Sequence, residues 1–217
     1  MSGPQVHPVD TPAGPARVHL WRPPRAHGVL ALGHGAGPSL TTVDLVATRE
    51  VAVELGWAVA LVEQPWLVAG RKVATRPPVL DAAWQPLVAG LREPRGLLGR
   101  VRGPLVVSGR SAGARVACRT AVALGAFGVL ALSFPLHPPG KPGSVRRDEL
   151  ARPLAAGVPV HVVQGERDPF GTPDEVRAAA ASPLVSLYAV AGTHAIPASA
   201  VEAVRQAVRR ALTELGG

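Results

Sequence analysis

Gly109-Arg110-Ser111-Ala112-Gly113 sets a serine between two glycines in the spacing G-x-S-x-G. That spacing suits a sharp turn from a strand into a helix, where flanking residues without side chains avoid collision and the serine hydroxyl stands exposed. The following helix would aim its first amides and its partial positive charge at the same point, and the N–H of Ala112 is the expected first donor to a developing oxyanion. A tight turn with an incidental serine has the same appearance, and Ser108 lies three residues earlier. The decision rests on partners, because a serine hydroxyl attacks only when a base takes its proton and an acid orients that base.

The order serine, acid, histidine is available. His194 is the sole histidine after Asp168, and Asp168 follows the apolar run VPVHVVQG in the sequence Glu166-Arg167-Asp168-Pro169. Pro169 disfavours helical backbone at Asp168, so the turn takes a defined shape. An aspartate there can accept the Nδ1 proton of His194 and stabilise the imidazolium. Glu166 is the competing acid. His161 sits inside an apolar run and reads as a packed histidine. The loop His34-Gly35-Ala36-Gly37 resembles the H-G-G-G type that supplies a second oxyanion donor, expected from the N–H of Ala36. It lacks both G-x-G-x-x-G and the lysine of a P-loop, so it does not read as a nucleotide cradle.

These residues need a scaffold that brings loop ends together. After residues 1–16, read as a flexible or edge segment, residues 17–217 alternate apolar runs with helical spacing. GVLALG, WAVALVE, PLVVSG, FGVLALSF, VPVHVVQG and VSLYAV are strand candidates, and VDLVATREVAVELG, AGARVACRTAVALG, PDEVRAAAAS and the final PASAVEAVRQAVRRALTELG are helix candidates. A further helix is expected over Val79–Leu91 despite Pro86. Nearly continuous apolar strands separated by amphipathic helices imply an α/β domain, a mostly parallel sheet covered on both faces. Ligands of such sheets collect where the strands end, and His34, Ser111, Asp168 and His194 all fall just after strand candidates.

The 217 residues suit one such domain. The start carries no basic segment followed by an apolar run, and AVALGAFGVLALSF is too short and too glycine-broken to span a bilayer, so the expected location is cytoplasmic with no membrane partner. One cysteine, Cys118, excludes an internal disulfide. The net charge of +8 invites nucleic acid. The arginines are spread along the chain without a recognition motif, so solvated helix faces and loops account for them and nucleic-acid binding is not the expected function.

Taken together, GHGAG, SGRSAGARVA, SFPLHPPGKP and VQGERDPFGTP resemble the α/β-hydrolase superfamily, from about Arg17 to the end of the chain. They are similar to its small lid-poor, dienelactone-hydrolase-like subgroup, related to the hydrolase-like domain of a subunit of the non-specific lethal histone acetyltransferase complex. The resemblance implies an α/β-hydrolase fold without a cap domain, with Ser111 as nucleophile, Asp168 as acid and His194 as base. Dienelactone hydrolases proper use a cysteine where this chain has Ser111, and the THAIP context of His194 lacks the more familiar acidic neighbour. The implied activity is a serine esterase, cleaving a small acyl substrate through an acyl-enzyme with no metal or organic cofactor. Because some relatives serve as interaction domains, the alternative is a weak or inactive hydrolase-fold interaction protein, and a homodimer stays open. The short SFPLHPPGKPGSVRRDELARPLAAG connection, taken as a loop, leaves no room for a lid and predicts a shallow site for short acyl groups.

Overall fold

The structure, a computed structural model, describes residues 3–141 and 146–216. Eight strands form one sheet: β1 (Gln5–Thr11), β2 (Gly14–Trp21), β3 (Gly28–Gly33), β4 (Trp57–Glu63), β5 (Leu105–Arg110), β6 (Gly128–Leu132), β7 (Val160–Gly165) and β8 (Val185–Val190). Their spatial order is β1-β2-β4-β3-β5-β6-β7-β8. The pairs β1/β2 and β2/β4 are antiparallel, and every pair from β4 to β8 is parallel. The Pro- and Gly-rich start therefore contributes an edge strand, hairpinned onto β2.

Successive strand residues point to opposite faces, and this alternation divides the core in two. Val29 and Ala31 of β3, with Ala58, Ala60 and Val62 of β4, join one apolar cluster. Leu30 and Leu32, with Trp57, Val59 and Leu61, join the other. The first is covered by α3 (Pro77–Leu91), α4 (Ala112–Thr120), α5 (Arg147–Ala155) and α6 (Pro173–Ala180), the second by α1 (Val43–Glu54) and α7 (Val201–Gly216). Strands buried on both faces explain why their sequences read as unbroken apolar runs.

Proline placement explains two departures from the sequence reading. Pro65 opens the short α2 (Pro65–Val68), and Pro77 and Pro78 start α3 two residues earlier than expected, at positions where the missing N–H costs nothing. Pro86 is tolerated inside α3 because its ring lies on the exposed face. The segment after β6, expected as a loop, is one only in its first half, for its second half forms α5. Pro142 of that loop lies outside the described residues.

The chain runs from β3 through α1 to β4 on one face, and returns through α3 to β5 on the other. The crevice at the carboxyl ends of β3 and β5 is thus the point where strand order reverses. Gly33 and Arg110 end those two strands. No helix is long and apolar enough to cross a membrane among the described residues.

Candidate active site

Ser111 stands between β5 and α4 with φ 53° and ψ −110°, a conformation that costs a non-glycine residue about 1–3 kcal/mol. Its N–H donates to Leu132 O of β6 at 2.9 Å, and its carbonyl accepts from Arg115 N at 3.2 Å as α4 begins. The two glycines of the turn make this fit. A Cβ on Gly113 would lie 2.7 Å from the Gly33 carbonyl carbon, and one on Gly109 would lie 2.4 Å from the Gly113 carbonyl carbon. Alanine at either position would push α4 away from β3 and β5.

The Ser111 Oγ is 2.9 Å from His194 Nε2, and His194 Nδ1 is 2.9 Å from Asp168 Oδ2. The structure thus brings together three residues separated by up to 83 positions, on the loops after β5, β7 and β8. Asp168 is 1% exposed, whereas Glu166 is solvent-exposed two residues away. The geometry of the histidine contact belongs to Asp168.

Gln164, the penultimate residue of β7, holds Asp168. It is fully buried; its Oε1 accepts from Phe134 N at 2.8 Å. Its Nε2 donates to Asp168 Oδ2 at 3.0 Å, to Gly171 O at 2.8 Å and to Phe134 O at 3.2 Å. Asp168 Oδ1 accepts from Phe170 N at 2.9 Å. The sequence offered one signal for Gln164: an amide inside an otherwise apolar strand must find partners for all its polar atoms. Phe170 in turn covers the base, its ring centroid 4.3 Å from that of His194.

The β3 loop is fixed by His34. Its Nε2 accepts from Gln64 N at 3.1 Å, so Nδ1 carries the proton and donates to Gly35 O at 2.8 Å. Burial holds the pKa of His34 below 6.5, against the pull of Gly35 O and of Glu63. It is a neutral staple between β3 and β4. Ala36 is exposed in this loop and accepts from Ala74 N at 3.2 Å, which ties it to the loop after α2. Ala112 is the first residue of α4, where main-chain N–H groups have no partner within the helix. The two expected oxyanion donors, one on the β3 loop and one at the start of α4, therefore lie at the edge that carries Ser111.

Beneath these loops the space is small. A cavity of about 10 Å³ is lined by His34, Gln64, Trp66, Trp84, Ala112 and Val116 among others. Hollows of 280 to 470 Å³ occur elsewhere, lined by residues other than the three joined at Ser111. The β6 loop closes one side: His137 N donates to Phe170 O at 3.0 Å, and Arg146 Nη1 donates to Pro135 O at 2.8 Å. Cys118 is fully buried on α4, and burial pushes its thiol up to about 12, so it is no rival nucleophile. Among the described residues no group of three or more His, Cys, Asp or Glu side chains is placed to hold a metal ion.

Comparison with known proteins agrees with this architecture. Residues 26–205 match the family described as alpha/beta hydrolase domain. The chain belongs to the α/β-hydrolase superfamily. Among solved structures, an alpha-beta serine hydrolase homologue from Coxiella burnetii superposes with a TM-score of 0.77 at 14% identity, covering 98% of this chain and 99% of that one. An α/β serine hydrolase without lid from Xanthomonas campestris gives 0.75 at 16% identity, covering 99% and 95%. Est1E from Butyrivibrio proteoclasticus gives 0.77 at 15% identity, covering 99% of both chains. These likenesses establish the fold. Curated proteins give no significant sequence match. As in the relative described as lidless, no inserted cap domain separates β6 from β7 among the described residues.

Proposed function

We propose that this chain is a serine hydrolase acting on small esters or related acyl compounds. The observation that carries the reading is the continuous pair of 2.9 Å contacts from Ser111 Oγ through His194 to Asp168, at a strained turn opening a helix. In the first half-reaction Ser111 Oγ attacks the acyl carbon and its proton passes to His194 Nε2. Asp168 Oδ2 accepts the Nδ1 proton and stabilises the imidazolium. The oxyanion is held by main-chain N–H groups, of which Ala112 and Ala36 are our assignment. The imidazolium then protonates the leaving group, leaving an acyl-serine. In the second half-reaction His194 draws a proton from water, which attacks the acyl-serine, and the imidazolium returns that proton to Ser111 Oγ as the acyl–oxygen bond breaks, releasing the acid and free Ser111.

The lack of an inserted cap domain between β6 and β7 among the described residues favours short acyl groups. The same lidless build supports placing the chain near the dienelactone-hydrolase-like subgroup, with serine in place of cysteine. A chain retaining all three residues in contact is better explained as an enzyme than as an interaction scaffold with a decayed site.

The test is labelling by a fluorophosphonate probe together with turnover of p-nitrophenyl esters. The probe is expected to modify wild type and not Ser111→Ala. Acetate or butyrate is expected to be hydrolysed at least about tenfold faster than palmitate, a difference of about 1.4 kcal/mol. Absence of both labelling and turnover would refute the hydrolase reading, and a preference for palmitate would refute the short-acyl assignment.

A further inference from the structure

The first variable residue of the serine turn has a side chain that the reaction does not itself require. Arg110 ends β5, and its guanidinium reaches across the sheet edge. Nη2 donates to the main-chain carbonyl of His194 at 2.6 Å. Nε lies 3.5 Å from Asp44 Oδ2 in the first turn of α1, and these two side chains are 16% and 3% exposed. Asp44 Oδ1 accepts from Leu45 N at 3.0 Å. The Arg110 side chain also packs against the β3 loop, where a Cβ on Gly35 would sit 3.1 Å from Nη1. One planar fork therefore touches the loop of the base, the glycine loop and α1, next to the nucleophile in sequence.

We propose that Arg110 is a positioning residue for the base and that Asp44 is its charge partner. The proposal rests on the serine-hydrolase reading. The loop of His194 has few other anchors: Arg167 N donates to Gly192 O at 3.0 Å, and Thr193 Oγ1 is 3.4 to 3.5 Å from its partners. The hydrogen bond from Arg110 is charge-assisted, short and partly buried, which makes it a strong tie on that loop. It fixes the main chain of His194 while leaving the ring to Ser111 and Asp168. A cation so close has a cost, since His194 itself becomes cationic during proton transfer. Asp44 offsets it. The ionisable groups that contact His194 are Asp168 of the β7 loop and Arg110 of β5, with Asp44 of α1 behind Arg110. A lysine cannot replace the fork, because one ammonium on a flexible stem does not serve two diverging partners in fixed geometry.

Charge and geometry separate in a set of variants assayed with p-nitrophenyl acetate across pH. Arg110→Gln should lower kcat about 10- to 100-fold with little change in KM, the scale of loss that a misplaced catalytic group produces. It should also move the acid limb of the pH–rate profile to higher pH, because the Asp44 carboxylate is then unopposed. Asp44→Asn should move that limb to lower pH. Arg110→Lys should lower kcat and leave the limb in place, and Arg110→Gln with Asp44→Asn should restore the limb but not kcat.

Hydrogen exchange at the amides of residues 193–196 supplies a readout independent of turnover, and should accelerate in Arg110→Gln while the melting temperature of the double variant stays near that of wild type. A kcat of Arg110→Gln within twofold of wild type, or unaltered exchange on that loop, would overturn the proposal, as would an acid limb fixed in both single variants. A wild type that hydrolyses no ester and takes no phosphonate would overturn the hydrolase reading instead. Exchange would then still decide whether Arg110 holds the loop.

Discussion

Asp168 and His194, the proposed acid and base, stand on neighbouring loops built to opposite specifications. Asp168 is fully enclosed, and both of its carboxylate oxygens are occupied, one by Phe170 N and the other by Gln164 and His194. Its main chain is pinned as well, with Asp168 N donating to Gly165 O and Gly171 N to Asp168 O. The His194 side chain is 16% exposed, on a loop whose main chain is tied by Arg110 to His194 O and by Arg167 N to Gly192 O, with the Phe170 ring against it on one side. A residue that only orients and stabilises gains from rigidity. A residue that must receive a proton from Ser111 and hand it to a leaving group needs its main chain fixed and its ring free to adjust.

The largest effects should come from the residues that exchange the proton. Ser111→Ala and His194→Ala are each expected to lower kcat/KM for p-nitrophenyl acetate by at least about a thousandfold, and the double variant little further, since they act as a unit. Additive losses would show that they do not. Asp168→Asn should cost less than loss of the serine, because an amide keeps contact with the imidazole while favouring the wrong tautomer. Glu166→Gln should leave turnover within twofold of wild type; a loss there with none in Asp168→Asn would transfer the role of the acid.

Gln164→Leu tests the rigid half of the contrast. It removes the donors to Asp168 and Gly171 and the acceptor for Phe134 N, leaving buried polar groups unpaired at a cost of about 1–3 kcal/mol each. Urea unfolding should report a loss of about 3 kcal/mol, and kcat should fall about tenfold as the acid loosens. Wild-type stability would show that Asp168 does not depend on this amide, and the contrast between the loops would weaken. Hydrogen exchange should give the same order, with slow amides at 168, 170 and 171 and faster ones at 193–196.

Those two loops also mark where sequence reading stops. The parallel sheet was legible because strands buried on both faces must be continuously apolar, and the serine turn because its glycines leave no room for a side chain. Ser111, Asp168 and His194 could be chosen because only certain side chains can perform their chemistry, and chain order narrowed the choice. Gln164 and Arg110 were visible as letters without a role, since an amide and a guanidinium are defined by neighbours 30 and 84 residues away. That the edge segment at the start forms a paired strand, β1, and that α5 is a helix were not read, for a related reason. Proline and charge in QVHPVDT and RRDELARPLA obscure periodicity, and pairing with β2 in one case and the Arg115–Glu149 ion pair to α4 in the other supply what local pattern does not.

The smallest expected effect separates His194 from the buried histidines that resemble it in sequence. His161 lies in β7, 4% exposed, with Nδ1 3.1 Å from the Tyr188 hydroxyl and 3.8 Å from Glu214 Oε2. Burial holds its pKa below 6.5, and the opposing pull of Glu214 is weaker because that side chain is 57% exposed and screened. The same sign applies to His34. Between the folded value and 6.5 the unfolded chain binds more protons than the native one. Stability therefore rises with pH through that window. The contribution is complete above 6.5 and is lost as pH falls through the folded value, with a slope of at most about 1.4 kcal/mol per pH unit for each group. Melting temperatures measured from pH 5 to 8 should fall on the acid side, and His161→Gln should flatten that fall while leaving ester turnover at pH 8 within twofold of wild type. An unchanged slope would mean that Glu214 cancels the effect of burial on His161, and a loss of turnover would mean that β7 transmits its packing to Gln164 and thence to Asp168.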